Sequence, residues 1–481
     1  MITDELTYQI TGNFPFEPTE EQQQAMNTFA QFFFSMDSRS VMILRGSAGT
    51  GKTTLASAIV KTLVSLKQKV MLLAPTGRAA KVFSLTSSHE AFTIHRKIYR
   101  QKSFTGELSS FNLADNLFQN MLFIVDESSM IANEGLEGTT FGSGRLLDDL
   151  IRYVYSSGSC RLMLMGDSAQ LPPVGEEESP ALSAQVLNSY GLTVFESELD
   201  EVLRQSENSG ILCNATMIRK MITLDEVTQL PKLHFRNFKD VVYMPGNELV
   251  ESLAASYRDV GEDETIVITR SNKRANIYNQ GIRGSVLDRD EELTRGDMLM
   301  VVKNNYYWVE KEKAPMPFIA NGDRVLVERV HNVRELFGYR FADIWVRFPD
   351  YDDYEMQVTA LLDTLVSEAP ALTREQSDKL FNAVMEDYAD VPIKADRLKK
   401  VKTDMYFNAL QVKYAYAVTC HKAQGGQWQH VYLDQGYMTD DMLTPDYIHW
   451  LYTACTRATD KLYLVNWPKT QMAEPQQNEC Y

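Results

Sequence analysis

The sequence predicts an α/β protein made of two parallel-sheet units, the second interrupted by a β-rich stretch. Three observations predict it. Short, uniformly apolar runs recur, each closely followed by Gly, Pro or Asp; a glycine-rich loop separates one such run from a helical pattern; and the pattern changes character between residues 284 and 407. Apolar runs without alternation suit strands buried on both faces, as in a parallel sheet covered by helices.

In chain order, Val41-Met42-Ile43-Leu44 reads as the first strand and Thr53 to Lys67 as a helix, with Leu55, Ile59, Leu63 and Leu66 at helical spacing. Val70-Met71-Leu72-Leu73, Leu122-Phe123-Ile124-Val125 and Leu162-Met163-Leu164-Met165 follow as strands. The second unit shows strands at Thr265–Thr269, Val412–Val418, Val431–Leu433 and Leu462–Val465. Between them Asn321-Gly322-Asp323 is a turn signal, followed by alternating Val325, Val327 and Val330 and then Ile344-Trp345-Val346, the signature of antiparallel strands. Residues 350–390 carry eleven acidic and two basic side chains, whereas Lys394 to Lys402 holds five basic and one acidic. The reversal reads as solvated helix faces, with a DNA-facing basic patch as the other reading.

At 481 residues the chain has room for three or four domains. Its 44% hydrophobic and 23% charged content is that of an ordinary globular protein. No apolar run reaches the roughly 18–20 residues of a membrane span. The first residues, MITDELTYQI, lack a basic and apolar leader pattern, so a cytoplasmic location and no membrane partner are expected. Five scattered cysteines without a CxxC pair exclude a zinc ribbon and argue against a disulfide scaffold. A net charge of −16 opposes coating nucleic acid by global attraction, so any such contact must come from a local groove.

Gly46-Ser47-Ala48-Gly49-Thr50-Gly51-Lys52-Thr53 satisfies G-x-x-x-x-G-K-[ST], with Thr54 following. Its glycines let backbone N–H groups wrap phosphates, and the helix opening near Lys52 points its positive end at them. Lys52 supplies an ammonium to the β/γ-phosphates and Thr53 a hydroxyl to Mg²⁺, so ATP or GTP, with Mg²⁺, is expected here. Asp126-Glu127 ends the Leu122–Val125 strand. After a phosphate loop, such a pair places Asp126 on the metal and Glu127 as the base that deprotonates the attacking water.

Gly166-Asp167-Ser168-Ala169-Gln170-Leu171-Pro172-Pro173-Val174 resembles motif III of superfamily 1 helicases, and the other motifs then fall into family order. Thr19–Gln22 resembles the Q motif, Ala74–Ala80 motif Ia and Thr93-Ile94-His95 the T-I-H element of the RecD/Dda branch. Val202-Leu203-Arg204-Gln205 resembles motif IV, Val418–Gly425 motif V and Leu451–Ala458 motif VI. The matches run from residue 19 to about 465, so the chain resembles a superfamily 1B DNA helicase of the RecD/Dda type over nearly its whole length.

That resemblance implies two RecA-like P-loop NTPase domains. Residues 1–98 and 115–200 would form the first (1A), with a small 1B hairpin at 99–114; residues 201–283 and 408–481 would form the second (2A), with an SH3-like 2B insertion at 284–407. Gln22 has an amide suited to an adenine edge, which favours ATP over GTP. Gln170 senses the γ-phosphate, and Arg204 and Arg457 serve as arginine fingers, with Gly425 on the nucleotide side. Pro75, Thr76, Thr93 and His95 from the first unit, and Asn272, Thr419 and His421 from the second, would hold the backbone of single-stranded DNA. Phe104, before the Thr105-Gly106-Glu107 turn, is either an aromatic pin that meets the duplex junction or a packing residue beneath the hairpin.

The implied function is an ATP-dependent DNA helicase that moves 5′→3′ on single strands and opens tailed duplexes in replication, repair or recombination, alongside unidentified single-stranded-DNA-binding or repair proteins. The polarity comes from the resemblance. A DNA-stimulated translocase that remodels protein–DNA complexes without processive unwinding is the alternative. A P-loop kinase or GTP switch is disfavoured by the distant arginines and the complete motif set. The sequence departs from the family at Gln427, where an acidic residue often stands.

Overall fold

The computed structural model describes residues 2–101, 111–135, 142–201, 209–223, 229–235, 238–314, 316 and 318–473. In the first unit the strands are β1 (Ser40–Gly46), β2 (Lys69–Ala74), β3 (Ala91–Thr93), a two-stranded hairpin of β4 (Tyr99–Gln101) and β5 (Phe111–Leu113), then β6 (Met121–Val125), β7 (Arg161–Gly166) and β8 (Thr193–Leu199). Apart from the hairpin they form one parallel sheet in the order β3-β2-β6-β7-β1-β8. The lack of alternation has a direct cause. Val41 and Ile43 enter a core on one face of the sheet, and Met42 and Leu44 enter a separate core on the other. Phe123 and Val125 divide from Leu122 and Ile124 in the same way, as do Leu162 and Leu164 from Met163 and Met165. Both faces are covered, so every position must be apolar.

The second unit contributes β9 (Val241–Met244) and β10 (Thr265–Thr269). The insertion supplies β11 (Met298–Val301), β12 (Arg324–Leu336), β13 (Tyr339–Phe348), β14 (Tyr354–Leu361) and β15 (Leu410–Tyr414). The chain then returns through β16 (Ala417–Thr419), β17 (Trp428–Asp434) and β18 (Ala458–Val465). Strands β16-β10-β17-β18-β9 form a second parallel sheet, and β11 to β15 close into a five-stranded barrel. The architecture is two RecA-like units with an SH3-like insertion. Helices Arg374–Asp387 and Lys394–Lys402 lay Leu380, Val384 and Val401 over Phe341 of the barrel, with Glu375, Asp378, Glu386, Asp387, Lys394, Lys399 and Lys400 exposed on them; the rest of the acidic run lies outside these helices. No described helix is long and apolar enough to cross a membrane. Cys160, Cys420 and Cys455 are free, and Cys213 is disulfide-bonded, one bridge rather than a scaffold.

One expectation needs correction. Val412–Val418 is not a single strand: Leu410–Tyr414 closes the barrel, and only Ala417–Thr419 joins the second sheet. A domain boundary at 407/408 therefore detaches the barrel's closing strand. The crossing is held by Asn279, whose amide donates to the carbonyls of Tyr414 (3.3 Å) and Ala417 (2.9 Å) while its oxygen accepts the Ala417 N–H (2.8 Å).

Where the chain enters the barrel, Asp297 is wholly buried and receives the Arg283 guanidinium through two bonds of 2.9 Å. It also accepts from Thr294 N (2.8 Å) and the Tyr416 hydroxyl (3.2 Å), so one carboxylate ties the entering and leaving segments together. Breaking a buried pair from one side leaves an uncompensated charge, at a cost of about 3–5 kcal/mol. Asp297→Ala should therefore lower the stability measured by urea unfolding by about that amount. Asp297→Leu combined with Arg283→Met should recover most of it.

Candidate active site and nucleic-acid face

All strands of a parallel sheet point the same way, so the loops after them share one edge. Along that edge of the first sheet, β3 and β2 deliver Thr93, His95, Pro75 and Thr76, while β6, β7 and β1 deliver Asp126-Glu127, Gln170 and the phosphate loop. The proposed DNA residues and the proposed nucleotide residues thus lie side by side.

Gly46 ends β1, and the helix Lys52–Ser65 starts directly after the loop. Gly49 and Gly51 have φ of +83° and +81°, conformations that other residues adopt only with strain. At Gly46 a Cβ would lie 2.9 Å from the Thr50 hydroxyl and 3.2 Å from Leu199, so glycine is required for space. Thr50 Oγ1 donates to the Ser47 carbonyl (2.9 Å) and Lys52 Nζ to the Gly46 carbonyl (2.9 Å). Gln22 is buried: its amide oxygen accepts the Thr19 N–H (3.1 Å) in a capping box, and its NH₂ donates to the Thr50 carbonyl (2.9 Å). It therefore braces the phosphate loop from the helix that carries the Q-motif match. Thr53 and Thr54 form the first turn after Lys52, partly exposed.

Asp126 follows β6, and its Oδ1 accepts the Glu127 N–H (2.8 Å). Burial first, and then the Glu127 carboxylate, push the Asp126 carboxyl above its usual range, against the pull of Lys52. A buried carboxylate beside a second one calls for a cation. With the Thr53 hydroxyl it offers the hard oxygen donors that Mg²⁺ accepts, and Mg²⁺ sites use few protein ligands. Among the described residues there is no group of three or more His, Cys, Asp or Glu arranged for a metal ion.

The second unit closes on this edge through the helix Pro445–Cys455. The Tyr452 hydroxyl donates to Asp167 Oδ2 (2.6 Å) and accepts the Ala48 N–H of the phosphate loop (3.2 Å). Burial and the Asp167 carboxylate hold that phenol protonated. Thr453 Oγ1 accepts the Leu171 N–H (2.8 Å), Gln424 donates to the Leu171 carbonyl (2.7 Å), and His449 Nδ1 donates to the Ala169 carbonyl (2.9 Å). Gln170 sits inside this seam with its Oε1 buried and without a partner. From the helix Gly210–Thr223, packed in the core of the second unit, Arg219 donates to Ser47 Oγ (3.1 Å) and pairs with Asp200 (2.5 Å) and Glu198 (3.3 Å).

Arg457 is buried within its own unit, donating to the carbonyls of Thr453 (3.0 Å) and Gly426 (3.2 Å). The arginine that touches the phosphate loop in this arrangement is Arg219, not Arg457. Arg204 and Phe104 lie outside the described residues. Sequence reasoning gave no role to Tyr452, Thr453, His449 or Arg219. The first three were findable, because positions 449, 452 and 453 share one face of a helix. Nothing in the sequence marks Arg219.

On the DNA side, Thr76 caps the helix Gly77–Ser87 (3.2 Å to Ala79 N) and comes close to motif V, since a Cβ on Gly425 would lie 3.0 Å from its hydroxyl. Thr93 caps the short helix Ile94–Ile98 (3.3 Å to Arg96 N). His95 packs between Tyr99 and Phe318 of the insertion, with ring centroids 5.6 and 6.3 Å away, and burial pushes its imidazole down to about 4, so it is neutral. Its ring is engaged by protein packing, unlike the others. Asn272 and Thr419, after adjacent strands β10 and β16, line one pocket, and His421 is exposed beside it.

A family model described as "AAA domain" matches residues 17–223, and one described as "UvrD-like helicase C-terminal domain" matches 414–465. The ATP-dependent DNA helicase dda of Enterobacteria phage T4 is 26% identical over 291 residues, covering 59% of this chain and 60% of that one. The ATP-dependent RecD2 DNA helicase of Deinococcus radiodurans is 31% identical over 195 residues, covering 40% of this chain and 23% of that one. Both family models and both relatives support a superfamily 1B helicase. The chain's enzyme class is that of the ATP-hydrolysing DNA helicases of this superfamily. Among solved structures, a Pif1 helicase from Bacteroides in complex with ADP-AlF3 and single-stranded DNA is 16% identical, with a TM-score of 0.47, covering 95% of this chain and 94% of that one.

The superfamily assignment gives the Tyr452 bridge a testable weight. Tyr452→Phe removes a donor from buried Asp167 and an acceptor from Ala48, a loss of about 1–3 kcal/mol. Steady-state assays should show kcat/KM for ATP falling roughly ten- to a hundred-fold. An unchanged value would mean that this hydroxyl does not set the geometry of the phosphate loop.

Proposed function

We propose that this superfamily 1B enzyme translocates 5′→3′ on single-stranded DNA, driven by Mg²⁺–ATP, and unwinds duplexes that carry a 5′ tail. One observation carries the reading. The phosphate loop is gripped from the second unit by Tyr452 and Arg219, while the proposed DNA residues stand at strand ends of the first sheet beside that loop and at the ends of β10 and β16 in the second sheet. A change at the phosphates is thereby felt by the groups that hold the strand. The polarity rests on the resemblance to the RecD/Dda branch.

In this mechanism the backbone of the phosphate loop and Lys52 hold the β/γ-phosphates. Thr53 and Asp126 would hold Mg²⁺, which when bound would neutralise charge on the phosphate oxygens. Glu127 takes the proton of the attacking water, and Gln170, with its free oxygen at the seam, reports the γ-phosphate to the second unit. Arg457 reaches the phosphates by leaving the Gly426 and Thr453 carbonyls, and Arg204 is the second finger that the motif IV resemblance implies. These moves give the two units different affinities before and after hydrolysis, which is what a motor needs. Pro75, Thr76, Thr93, Asn272, Thr419 and His421 hold the DNA backbone without reading sequence. The partners are single-stranded and tailed duplex DNA, with unidentified replication or repair proteins acting on the same strands.

A fluorescent duplex offered with ATP and either a 5′ or a 3′ tail tests the proposal: strand separation should occur with the 5′ tail alone. ATP hydrolysis stimulated by DNA without strand separation would point to remodelling rather than unwinding. Lys52→Ala removes a charge-assisted phosphate contact and should lower ATP turnover by orders of magnitude while single-strand binding survives. Arg457→Lys keeps the charge and loses the fork. It should leave nucleotide affinity within a few-fold and strongly reduce DNA-stimulated turnover, read in the same ATPase assay.

A further inference from the structure

We infer that Lys413 and Lys422 form a paired cationic seat for one phosphodiester of the bound strand, at the junction of the second unit with the barrel. The inference rests on the DNA-binding reading above and supplies what that reading lacks, a local source of positive charge in a chain with 64 acidic and 48 basic residues.

The seat is a pocket lined by Asn272 and Asn276 from the first turns of the helix Asn272–Ser285, Lys413 of β15, and Thr419 and Lys422 around the end of β16. The Lys413 side chain is on the barrel and that of Lys422 on the second unit, so both bodies contribute. Lys413 belongs to a residue only 9% exposed. Its ammonium donates to the Ser367 carbonyl, and that of Lys422 donates to Asn321 Oδ1, the turn residue of the barrel. Neither has an ion-pair partner among the described residues.

The surrounding charges do not compensate them. Lys273, next to Asn272, is itself positive and reaches outward to Glu368 (3.8 Å), both mostly exposed. Asp323, two residues from Asn321, is taken up by the Tyr351 hydroxyl and the Ala320 N–H. His421 feels Asp446. Burial pushes both lysines down to about 8, and Lys422 pushes Lys413 further in that direction. Two desolvated ammonium groups that repel each other are costly unless an anion completes them. The helix start adds a third positive element aimed at the same space. The Asn276 amide is committed to the Val366 and Ser367 carbonyls (both 2.9 Å), and Asn272 and Thr419 offer neutral polar groups, which suits a singly charged diester.

Two measurements test the seat with the full-length protein and a fluorescent oligothymidylate, using anisotropy. On single strands each neutralised phosphate contributes about 0.7 to the slope of log K against log salt. The Lys413→Gln/Lys422→Gln variant should lose about 0.7 of that slope and bind roughly ten-fold more weakly at 100 mM KCl. The second measurement is pH. Binding favours the protonated lysines, so wild-type affinity should fall between pH 7 and 9, well below the range in which ordinary lysines titrate. Lys413→Arg/Lys422→Arg should keep the salt slope and lose that fall. A glutamine variant that melts like wild type and retains both the slope and the pH dependence overturns the seat. Wild type that fails to bind the oligonucleotide overturns the DNA reading instead. Inorganic phosphate competing at low millimolar concentration with the same lysine dependence would show a free-anion site, and would also overturn the assignment to the strand.

Discussion

The nucleotide side of the structure depends on one phenol. Tyr452 gives its proton to Asp167 and takes the N–H of Ala48, so a motif VI residue of the second unit is bonded at once to motif III and to the phosphate loop of the first. A carboxylate this deeply buried must be paired, and its partner comes from the other unit. The neighbouring bonds from Thr453, Gln424 and His449 fix the same loop, whose Gln170 then has nowhere to turn its free oxygen except within the seam. The interface is a sheet edge and a helix face meeting through backbone groups, which sets the spacing of the two units more tightly than surface ion pairs would.

The second organising constraint is charge. A strongly acidic protein repels a polyanion at long range, and screening leaves local contacts to decide. The residues proposed to hold the strand are mostly neutral, and His95 is kept neutral by burial against Phe318. Positive charge is concentrated where it is also desolvated, at the crossing between sheet and barrel. The chain carries few cations to the groove but places them where each counts most.

Much of the fold could be read from residue order. The uniformly apolar runs became central strands because each divides its side chains between two cores, and the phosphate loop lies where its glycines must bend. What could not be read has a common physical cause. Val412 to Val418 is apolar except for Lys413, and its spacing does not mark the passage from barrel to sheet; the side chain that divides it, Asn279, lies 135 residues away from Tyr414. Arg219 reaches the phosphate loop from a helix without a motif. His95 stands in a motif that resembles a DNA contact, yet its ring is met by an aromatic from the insertion. Each miss involves a partner far along the chain, which spacing does not reveal.

The barrel also touches the first unit at a place with no side chain. A Cβ on Gly77 would lie 3.1 Å from Asp323 and 3.2 Å from the Tyr351 hydroxyl, and Lys81 nearby donates to the Pro349 carbonyl (2.6 Å). The insertion is therefore joined to one unit by two chain crossings and meets the other at Gly77, at Lys81 and through Phe318, which packs into the first unit's core. Such a joint acts as a brace: with Phe318 seated among side chains of the first unit, the barrel ties the two units together at a second place, away from the phosphates. Any displacement of one unit against the other has to disturb this contact, beside the start of the helix Gly77–Ser87, as well as the seam around Tyr452.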